Sequence, residues 1–248
     1  MVQNHKVWIF GKHAVRAVIL ERKRKIYKFL LGIQNKEPAL KEFEDLGIKF
    51  ENLGIKPEFI SKEQFTSLFN KNTVHQGWAA EVEALQQVFI EDLEDDERPI
   101  VFLDRIEDPQ NIGSIIRAAA VFGAKAVVMP ETHTPKITPA IMKVASGAAE
   151  IIPIIKVPNI VHTMNILKRE HGYWSVGLDE RGEQELHNID FSGKFILVIG
   201  NEGSGMRRLT RENCDFLAKI PSWGEFSTLN AAQATTAALY EILLQKKQ

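Results

Sequence analysis

The chain of 248 residues is 44% hydrophobic and 25% charged with a formal net charge of −1, which is typical of a globular protein with one large domain or two smaller ones. Its only cysteine, Cys214, excludes intrachain disulfides and Cys-rich zinc sites and is expected to pack as a small hydrophobic side chain, and the seven histidines show no metal-binding spacing. No stretch approaches the roughly 18 uninterrupted apolar residues of a membrane span, and the amino-terminal residues lack the features of a secretory signal, so we expect a cytoplasmic protein without membrane or metal.

The charge is unevenly distributed along the chain. Residues 1–30 contain eight Lys or Arg residues and one acid, a local charge of +7, whereas residues 91–98 contain six acids and one Arg. A basic cluster attracts phosphates only if its members share one face, and otherwise it is a solvated surface. The acidic stretch interrupts the hydrophobic periodicity and indicates a linker, so we predict a first domain over residues 1–85, a linker over 86–98 and a second domain over 99–248.

Hydrophobic patterns in the first domain predict short alternating helices and strands, which indicates a small α/β domain. In chain order they predict a helix at 13–20, a strand at 25–31, a helix at 37–46, a strand at 48–52, a helix at 56–69 and a strand at 78–84.

The second domain alternates continuous apolar strands with helices, which predicts a parallel sheet covered on both faces. Its predicted strands are 99–104, 125–130, 151–155, 174–178, 195–200 and 216–221, and its predicted helices are 109–123, 137–146, 159–169 and 230–244. Ligands of such sheets bind at the carboxyl ends of the strands, and three of these ends carry unusual sequences.

The first of these ends is DPQNIGSIIRAA, in which Asp108 can cap a helix that begins at Pro109. Arg117 lies among Ile and Ala residues. Either its stem covers apolar surface while its head reaches water, or it binds a partner, and we favour the partner because guanidinium is seldom buried unpaired. Asn111, in the first turn, could simply be a capping residue.

The second end is the loop GNEGSGM, in which Glu202 stands between glycines. It lacks the Lys-Ser/Thr of a P-loop and reads GxxGxG rather than GxGxxG, so both phosphate-binding fingerprints fail and a nucleotide-dependent dehydrogenase is disfavoured. The simpler alternative is a tight turn whose Glu202 points outward or caps a helix. The third end, IPSWGEFSTLN, places Thr228 and Asn230 at the start of the last helix, where ordinary N-capping would also explain them.

Together, DPQNIGSIIRAA, LVIGNEGSGM and IPSWGEFSTLN resemble the three motifs of the SpoU branch of the SPOUT (TrmH-type) RNA 2′-O-methyltransferases. At the amino end, IFGKHAVRAVI and HQGWAAEV resemble the start and finish of the L30e-like RNA-binding domain of family members that methylate a guanosine of 23S rRNA. The resemblance covers nearly the whole chain. It implies an L30e-like first domain, a second domain with a trefoil knot, and a homodimer.

The cofactor implied by this resemblance is S-adenosylmethionine. It carries a sulfonium and no phosphate, so a loop that holds it can tolerate the carboxylate of Glu202. The resemblance implies that backbone groups of Gly200, Ile220 and Leu229 hold the cofactor, together with Thr228. Glycines let backbone approach a ligand closely, and apolar neighbours suit an adenine ring.

The implied reaction is methyl transfer to a ribose 2′-hydroxyl of RNA, for which the resemblance implies Arg117 as the catalytic residue. An ionised guanidinium is a poor base, so we favour a role in binding the adjacent phosphate and stabilising the developing alkoxide, and the role of base stays open. Asn111 and Asn230 would orient Arg117 or the ribose, and Glu202 would fix an Asn or the loop. The basic first domain would bind RNA phosphates.

One departure from the family keeps alternatives open. The third motif typically reads Ser-Leu-Asn followed by Val-Ser-Val, whereas this chain has Thr-Leu-Asn-Ala-Ala-Gln at residues 228–233. A catalytically inactive, dimeric RNA-binding protein on the same fold therefore stays an alternative, as does a tRNA 2′-O-methyltransferase. Since Asn230 and a hydroxyl are retained, we favour activity. We expect this helix to lie at the dimer interface or in the knot core, and because an unpaired buried amide is costly we predict that the Gln233 amide is hydrogen-bonded, with a bond across the dimer as one option.

Overall fold

The computed structural model describes residues 6–69, 75–224 and 228–247, without the side chains of residues 52 and 53. The chain divides into two compact units, Met1–Gln86 and Gln87–Gln248, which we call the first and the second unit. Part of the third motif, residues 225–227, lies outside the described residues. No helix in the described ranges is both long enough and apolar enough to cross a membrane.

In its described residues, the first unit is a four-stranded sheet with three α-helices. Its elements are β1 Lys6–Phe10, α1 Lys12–Glu21, β2 Ile26–Gly32, α2 Lys36–Asp45, β3 Pro57–Ile60, α3 Lys62–Leu68 and β4 Trp78–Glu83. The strand order is β1-β4-β2-β3, in which β2 and β3 are parallel and the other neighbours are antiparallel. Strand β1 is absent from the sequence prediction.

Two predicted elements of the first unit are wrong. The strand predicted at 48–52 is replaced by the 3₁₀ helix Phe50–Leu53, which ends at Gly54 in the left-handed conformation. The helix predicted at 56–69 is strand β3 followed by the shorter helix α3. Pro57 favours an extended edge strand, and the capping box of Ser61 with Gln64 starts the helix only after it.

The positive charge of residues 1–30 is partly neutralised within the first unit. Glu42, outside that stretch, forms ion pairs with Lys12 at 2.8 Å and with Arg16 at 2.9 Å. Arg24 is buried and donates to the Glu83 carbonyl at 3.0 Å. The side chains of Lys25 and Lys28, in contrast, are exposed. The surface available to phosphates is therefore less positive than the count of +7 indicates.

The second unit is a seven-stranded sheet with five α-helices in its described part. Its strands are β5 Ile100–Asp104, β6 Ala126–Pro130, β7 Ile154–Val157, β8 Trp174–Leu178, β9 Gln184–Glu185, β10 Phe195–Gly200 and β11 Phe216–Lys219. Its helices are α4 Pro109–Val121, α5 Pro139–Val144, α6 Ile160–His171, α7 Arg208–Glu212 and α8 Ala231–Lys246. The strand order is β7-β6-β5-β10-β8-β11-β9, and all neighbours are parallel, which confirms the predicted parallel sheet.

The central strands supply the core of the second unit. All residues of β5 and β6 are buried, as is β10 up to its last residue, as expected for a parallel sheet covered on both faces. Helix α4 packs against α5 and α8. Gly113 allows the close approach of α4 to α5, since a Cβ there would lie 2.6 Å from the Cβ of Val144.

The acidic segment, residues 91–98, is held on the second unit. The adjoining Val88 and Ile90 pack against its core, as does Leu93. The buried ammonium of Lys125 donates to the Asp96 carbonyl and to the Tyr173 hydroxyl, both at 2.7 Å, and lies 3.2 Å from the Asp96 carboxylate. The acidic part of the stretch interpreted as a linker is therefore attached to this unit through Leu93 and Asp96, while its other residues are exposed.

We expect the Asp96 carboxylate to stabilise the fold in a pH-dependent way. Burial raises its pKa, but hydrogen bonds from Arg98 and Lys125 outweigh burial and lower the pKa from 3.8 to about 2. A depressed pKa contributes stability above the unfolded value, and this contribution disappears as the pH falls through the folded value. Urea unfolding should show wild type more stable than Asp96→Asn at pH 6, with the difference shrinking as the pH falls from 3.8 toward 2.

The control is Glu91→Gln, which removes an exposed acid of the same segment. Its free energy of unfolding should follow wild type at every pH. A difference between wild type and Asp96→Asn that does not change with pH would contradict the ion-pair assignment.

Candidate active site

The loop after β10 turns back sharply on itself. Asn201 donates its backbone N–H to the Gly205 carbonyl at 3.1 Å, and Gly205 returns a hydrogen bond to the Asn201 carbonyl at 2.8 Å. The Asn201 side chain accepts from the N–H of Gly203 at 3.0 Å and of Ser204 at 3.3 Å. Gly205 has φ +69°, a conformation that favours glycine. The loop is thus a tight turn fixed by its own polar groups.

Gly200 is required by this turn. A Cβ at Gly200 would lie 2.3 Å from the Met206 nitrogen and 2.4 Å from the Gly205 carbonyl carbon, both of them backbone atoms. A Cβ at Gly203 would meet nothing closer than the Asn201 side chain at 3.7 Å. From the sequence, we expected Gly200 to let the backbone approach a ligand closely. In the structure, the backbone of Gly205 and Met206 returns so close to Gly200 that it already excludes a side chain there.

The Glu202 carboxylate joins three segments of the second unit. Its Oε1 accepts a hydrogen bond from the Asn111 side-chain amide of α4 at 2.7 Å and from the backbone N–H of Ala231, the first residue of α8, at 3.2 Å. Asn111 is 6% exposed. Glu202 therefore both pairs with an Asn and caps a helix, which were two separate interpretations of the sequence.

A second contact holds the residues that follow the loop. Asp104, the last residue of β5, is fully buried, and its carboxylate accepts from the Arg207 backbone N–H at 2.8 Å and from the Arg207 Nε at 2.6 Å. Sequence analysis missed this pair. The available signal was an acid at the end of a continuously apolar strand, because a buried Asp is seldom left without a partner.

A cavity of about 380 Å³ lies at the carboxyl ends of these strands. It is lined by the turn after β10, by the start of α8 and by the segments after β8 and β11. Four of its lining residues are the predicted cofactor-binding residues Gly200, Ile220, Thr228 and Leu229. The structure thus brings these four together around one cavity, and Glu202 lines the same cavity.

The lining combines apolar side chains with negative charge. Leu178, Ile199 and Ala218 supply apolar surface, whereas Glu180 and Glu202 supply carboxylates. Asp179 also lines the cavity, but its carboxylate lies 3.4 Å from Arg181 and 3.1 Å from Arg211, which offset its charge. A cavity of this kind suits a partly apolar, positively charged ligand better than a phosphate.

Asn230 is the N-cap of α8. Its side chain accepts from the Gln233 N–H at 2.7 Å, and the Gln233 side chain accepts from the Asn230 N–H at 3.2 Å, which completes a capping box. Gln233 lies on the exposed side of the first turn of the single chain, and a dimer interface that covers it stays a prediction. The amide is hydrogen-bonded, but within its own helix.

Arg117 lies apart from the cavity lining. It is exposed on α4, and its guanidinium reaches the Ser146 hydroxyl only at 3.5 Å. No acid of the described residues forms an ion pair with Arg117. We expected a partner for Arg117 from the sequence, and the structure shows a long contact to the Ser146 hydroxyl. The guanidinium is exposed, so an anion from solution can reach it.

Cys214 is a free cysteine packed against the core of the second unit. Burial raises the pKa of the Cys214 thiol to about 12, so the side chain stays a neutral thiol packed at the edge of the core. Within the described ranges, no group of three or more His, Cys, Asp or Glu side chains could hold a metal ion.

Two family models match the chain. The SpoU rRNA Methylase family matches residues 98–240, and the model described as RNA 2'-O ribose methyltransferase substrate binding matches residues 8–88. The 23S rRNA (guanosine-2'-O-)-methyltransferase RlmB of Pseudomonas putida is 37% identical over 96% of this chain and 96% of its own length. The RlmB of Coxiella burnetii is 35% identical over the same shares of both chains.

A solved structure supports the fold. The SpoU methyltransferase AviRb from Streptomyces viridochromogenes, determined in complex with AdoMet, superposes with a TM-score of 0.78 at 24% identity. The match covers 98% of this chain and 91% of AviRb. The architecture of both units is therefore one already observed in methyltransferases of this class.

We expect Gly200→Ala to disrupt the turn. The added methyl collides with backbone atoms that cannot move without opening the turn, so the free energy of unfolding should fall by about 1–3 kcal/mol or more. Gly203→Ala is the matched control, because its methyl meets only an ordinary contact at 3.7 Å. Urea unfolding of both variants measures the difference, and equal stabilities would contradict the close return of the chain at Gly200.

Proposed function

Because the chain belongs to the SpoU rRNA Methylase family, we propose that it transfers a methyl group from S-adenosylmethionine to the ribose 2′-hydroxyl of a guanosine in 23S rRNA. The observation that carries this proposal is the cavity at the strand ends, around which Gly200, Ile220, Thr228 and Leu229 converge. RlmB relatives that match 96% of the chain support the choice of a guanosine in 23S rRNA over a tRNA nucleotide.

The cavity fits the proposed cofactor in size and in chemistry. Its volume of about 380 Å³ lies within the roughly 300–1,000 Å³ of small-molecule sites. When bound, S-adenosylmethionine supplies an activated methyl group on a positively charged sulfur. The carboxylates of Glu180 and Glu202 favour such a cation, and Ile220 and Leu229 provide apolar surface for an adenine ring.

Arg117 would act on the RNA. Its guanidinium is exposed and, among the described residues, contacts the Ser146 hydroxyl alone, so an incoming phosphate can displace that contact without breaking an ion pair. A bidentate bond to the phosphate would place the adjacent ribose hydroxyl, and the positive charge would stabilise the alkoxide as the proton leaves to water.

Asn111, Glu202 and Asn230 would shape the site. The hydrogen bonds of Glu202 to Asn111 and to the first N–H of α8 hold the turn against both helices. Asn230 fixes the start of α8 through its capping box, next to the cavity residues Thr228 and Leu229. We infer that these three side chains position the cofactor and Arg117 and do not exchange protons with the substrate.

We infer that the chain works as a homodimer with a trefoil knot in the second unit, in the cytoplasm. Apolar side chains exposed on α4 and α8 support the dimer: Val121 is 69% exposed, Tyr240 53% and Leu244 40%. The ring of Tyr240 meets Phe122 edge-on at 6.2 Å, so the two helices present one continuous apolar surface. A second copy of the chain would remove this surface from water.

The first unit would bind RNA through its sheet. Lys6 and Lys25 lie 4.3 Å and 5.4 Å from the ring centre of Tyr27, so two ammonium groups converge on one exposed region. Lys28 follows on the same strand as Tyr27. Positive charge beside an aromatic ring suits a phosphate backbone with unpaired bases.

We expect Arg117→Ala to lower kcat by about 10²- to 10³-fold while S-adenosylmethionine binds as in wild type, because Arg117 lies outside the cavity lining. Arg117→Lys should restore only part of the rate, since an ammonium cannot form the bidentate fork. Ser146→Ala, the control, removes only the contact at 3.5 Å and should keep nearly full turnover.

Methyl transfer to rRNA and calorimetry with the cofactor are the two measurements. Wild-type turnover in Arg117→Ala would refute the role of Arg117. If the wild-type protein bound RNA but transferred no methyl group, the inactive RNA-binding alternative would replace the proposed function.

We expect Lys25→Ala with Lys28→Ala to weaken RNA binding and to reduce the slope of log K against log salt by about 1 for each lost phosphate contact. Lys12→Ala is the matched control, because Lys12 already pairs with Glu42 at 2.8 Å. The measurement is the RNA affinity of wild type, the double variant and Lys12→Ala over a range of salt concentrations. Equal slopes for the double variant and wild type would exclude this region from RNA binding.

A further inference from the structure

Trp223 is exposed at 104% of its reference surface. No other large hydrophobic side chain in the described ranges exceeds 69%. The described residues beside it, Pro221, Ser222 and Gly224, are exposed as well, and none of them covers the indole. When a partner covers a tryptophan, a large apolar area is removed from water. A fully exposed tryptophan therefore indicates a binding site.

The position of Trp223 connects it with the cavity. Ile220, three residues earlier in the chain, and Thr228, five residues later, both line the cavity. Three residues of extended chain span at most about 11 Å, so the backbone of Trp223 lies within about that distance of the cavity wall. The ribose that receives the methyl group must come to the same cavity.

We propose that the indole of Trp223 stacks on an unpaired nucleobase of the RNA, either the base of the target nucleotide or the base of its neighbour. This inference rests on the proposed function, because it places the target ribose at the cavity. Specific RNA recognition uses unpaired bases stacked on aromatic side chains, and every base offers a flat face to an indole. Trp223 thereby positions the nucleotide and does not take part in the chemistry.

A nucleobase fits Trp223 better than a protein surface does. A stable protein interface needs a patch of many residues, whereas in residues 221–224, the described part of this loop, Trp223 is a single aromatic ring beside Pro, Ser and Gly. The apolar side chains that suit a second copy, Val121, Tyr240 and Leu244, lie instead on α4 and α8. Arg181, which also lines the cavity, has a side chain that is 68% exposed and can meet a phosphate beside the stacked base.

The test compares Trp223→Ala, Trp223→Leu and Trp223→Phe in the full-length protein, with an rRNA fragment that wild type methylates as the probe. Loss of stacking should weaken RNA binding and raise KM for RNA by about 5- to 150-fold in the Ala and Leu variants. The Phe variant should stay close to wild type, because it keeps an aromatic face. Phe89→Ala removes another exposed aromatic ring of the second unit and should change nothing.

Two further measurements separate the outcomes. Cofactor affinity and the mass of the assembly in sedimentation should be unchanged in all four variants, and wild-type tryptophan fluorescence should be quenched by the RNA. Three results would each overturn the stacking proposal. They are RNA binding by Trp223→Leu that is as strong as that of Trp223→Phe, loss of the dimer in Trp223→Ala, and an RNA affinity of Trp223→Ala equal to that of wild type. A wild-type protein that neither binds S-adenosylmethionine nor methylates RNA would instead overturn the proposed function.

Discussion

The carboxylate of Glu202 is the contact on which the geometry of the candidate site depends. One oxygen accepts from the Asn111 amide and from the first N–H of α8, which lie 91 and 29 residues away in the chain. Hydrogen bonds to a charged acceptor are about twice as strong as neutral ones, and a negative charge at the start of a helix also meets the positive end of its dipole. One group thus ties the turn to both α4 and α8, two helices that also pack directly against each other.

The other features of the turn serve to bring this carboxylate into place. Gly200 permits the reversal, the Asn201 side chain ties the turn internally, and Asp104 holds Arg207 just beyond it. A glycine-rich loop that carries an acid is unusual for a phosphate site. Here the Glu202 carboxylate accepts hydrogen bonds from donors of two helices, which is a structural role. It also lines a cavity that suits a cation.

The sequence predicts the second unit well because its strands are continuous apolar runs between helices, and the strand at 195–200 matches β10 residue for residue. The first unit is less well predicted, since Pro57 and Ser61 decide locally between strand and helix. In the site, the motifs identify the residues around the cavity but not their contacts. Asp104 and Arg207 are 103 residues apart, and no periodicity relates them. The sequence predicts that the Gln233 amide is hydrogen-bonded, but it does not show that the partner is the Asn230 N–H of the same helix.

The strand order also has a consequence for how the chain folds as it is made. Strand β10 lies between β5 and β8, although both precede it in the chain. At about 5–20 residues per second, the 91 residues from the end of β5 to the start of β10 take roughly 5–18 s to synthesise. During that interval the facing edge of β5 has unpaired backbone groups, joined by the edge of β8 once residues 174–178 are made, and such edges are templates for pairing with another nascent chain. The order that creates the site therefore also creates a period in which aggregation competes with folding.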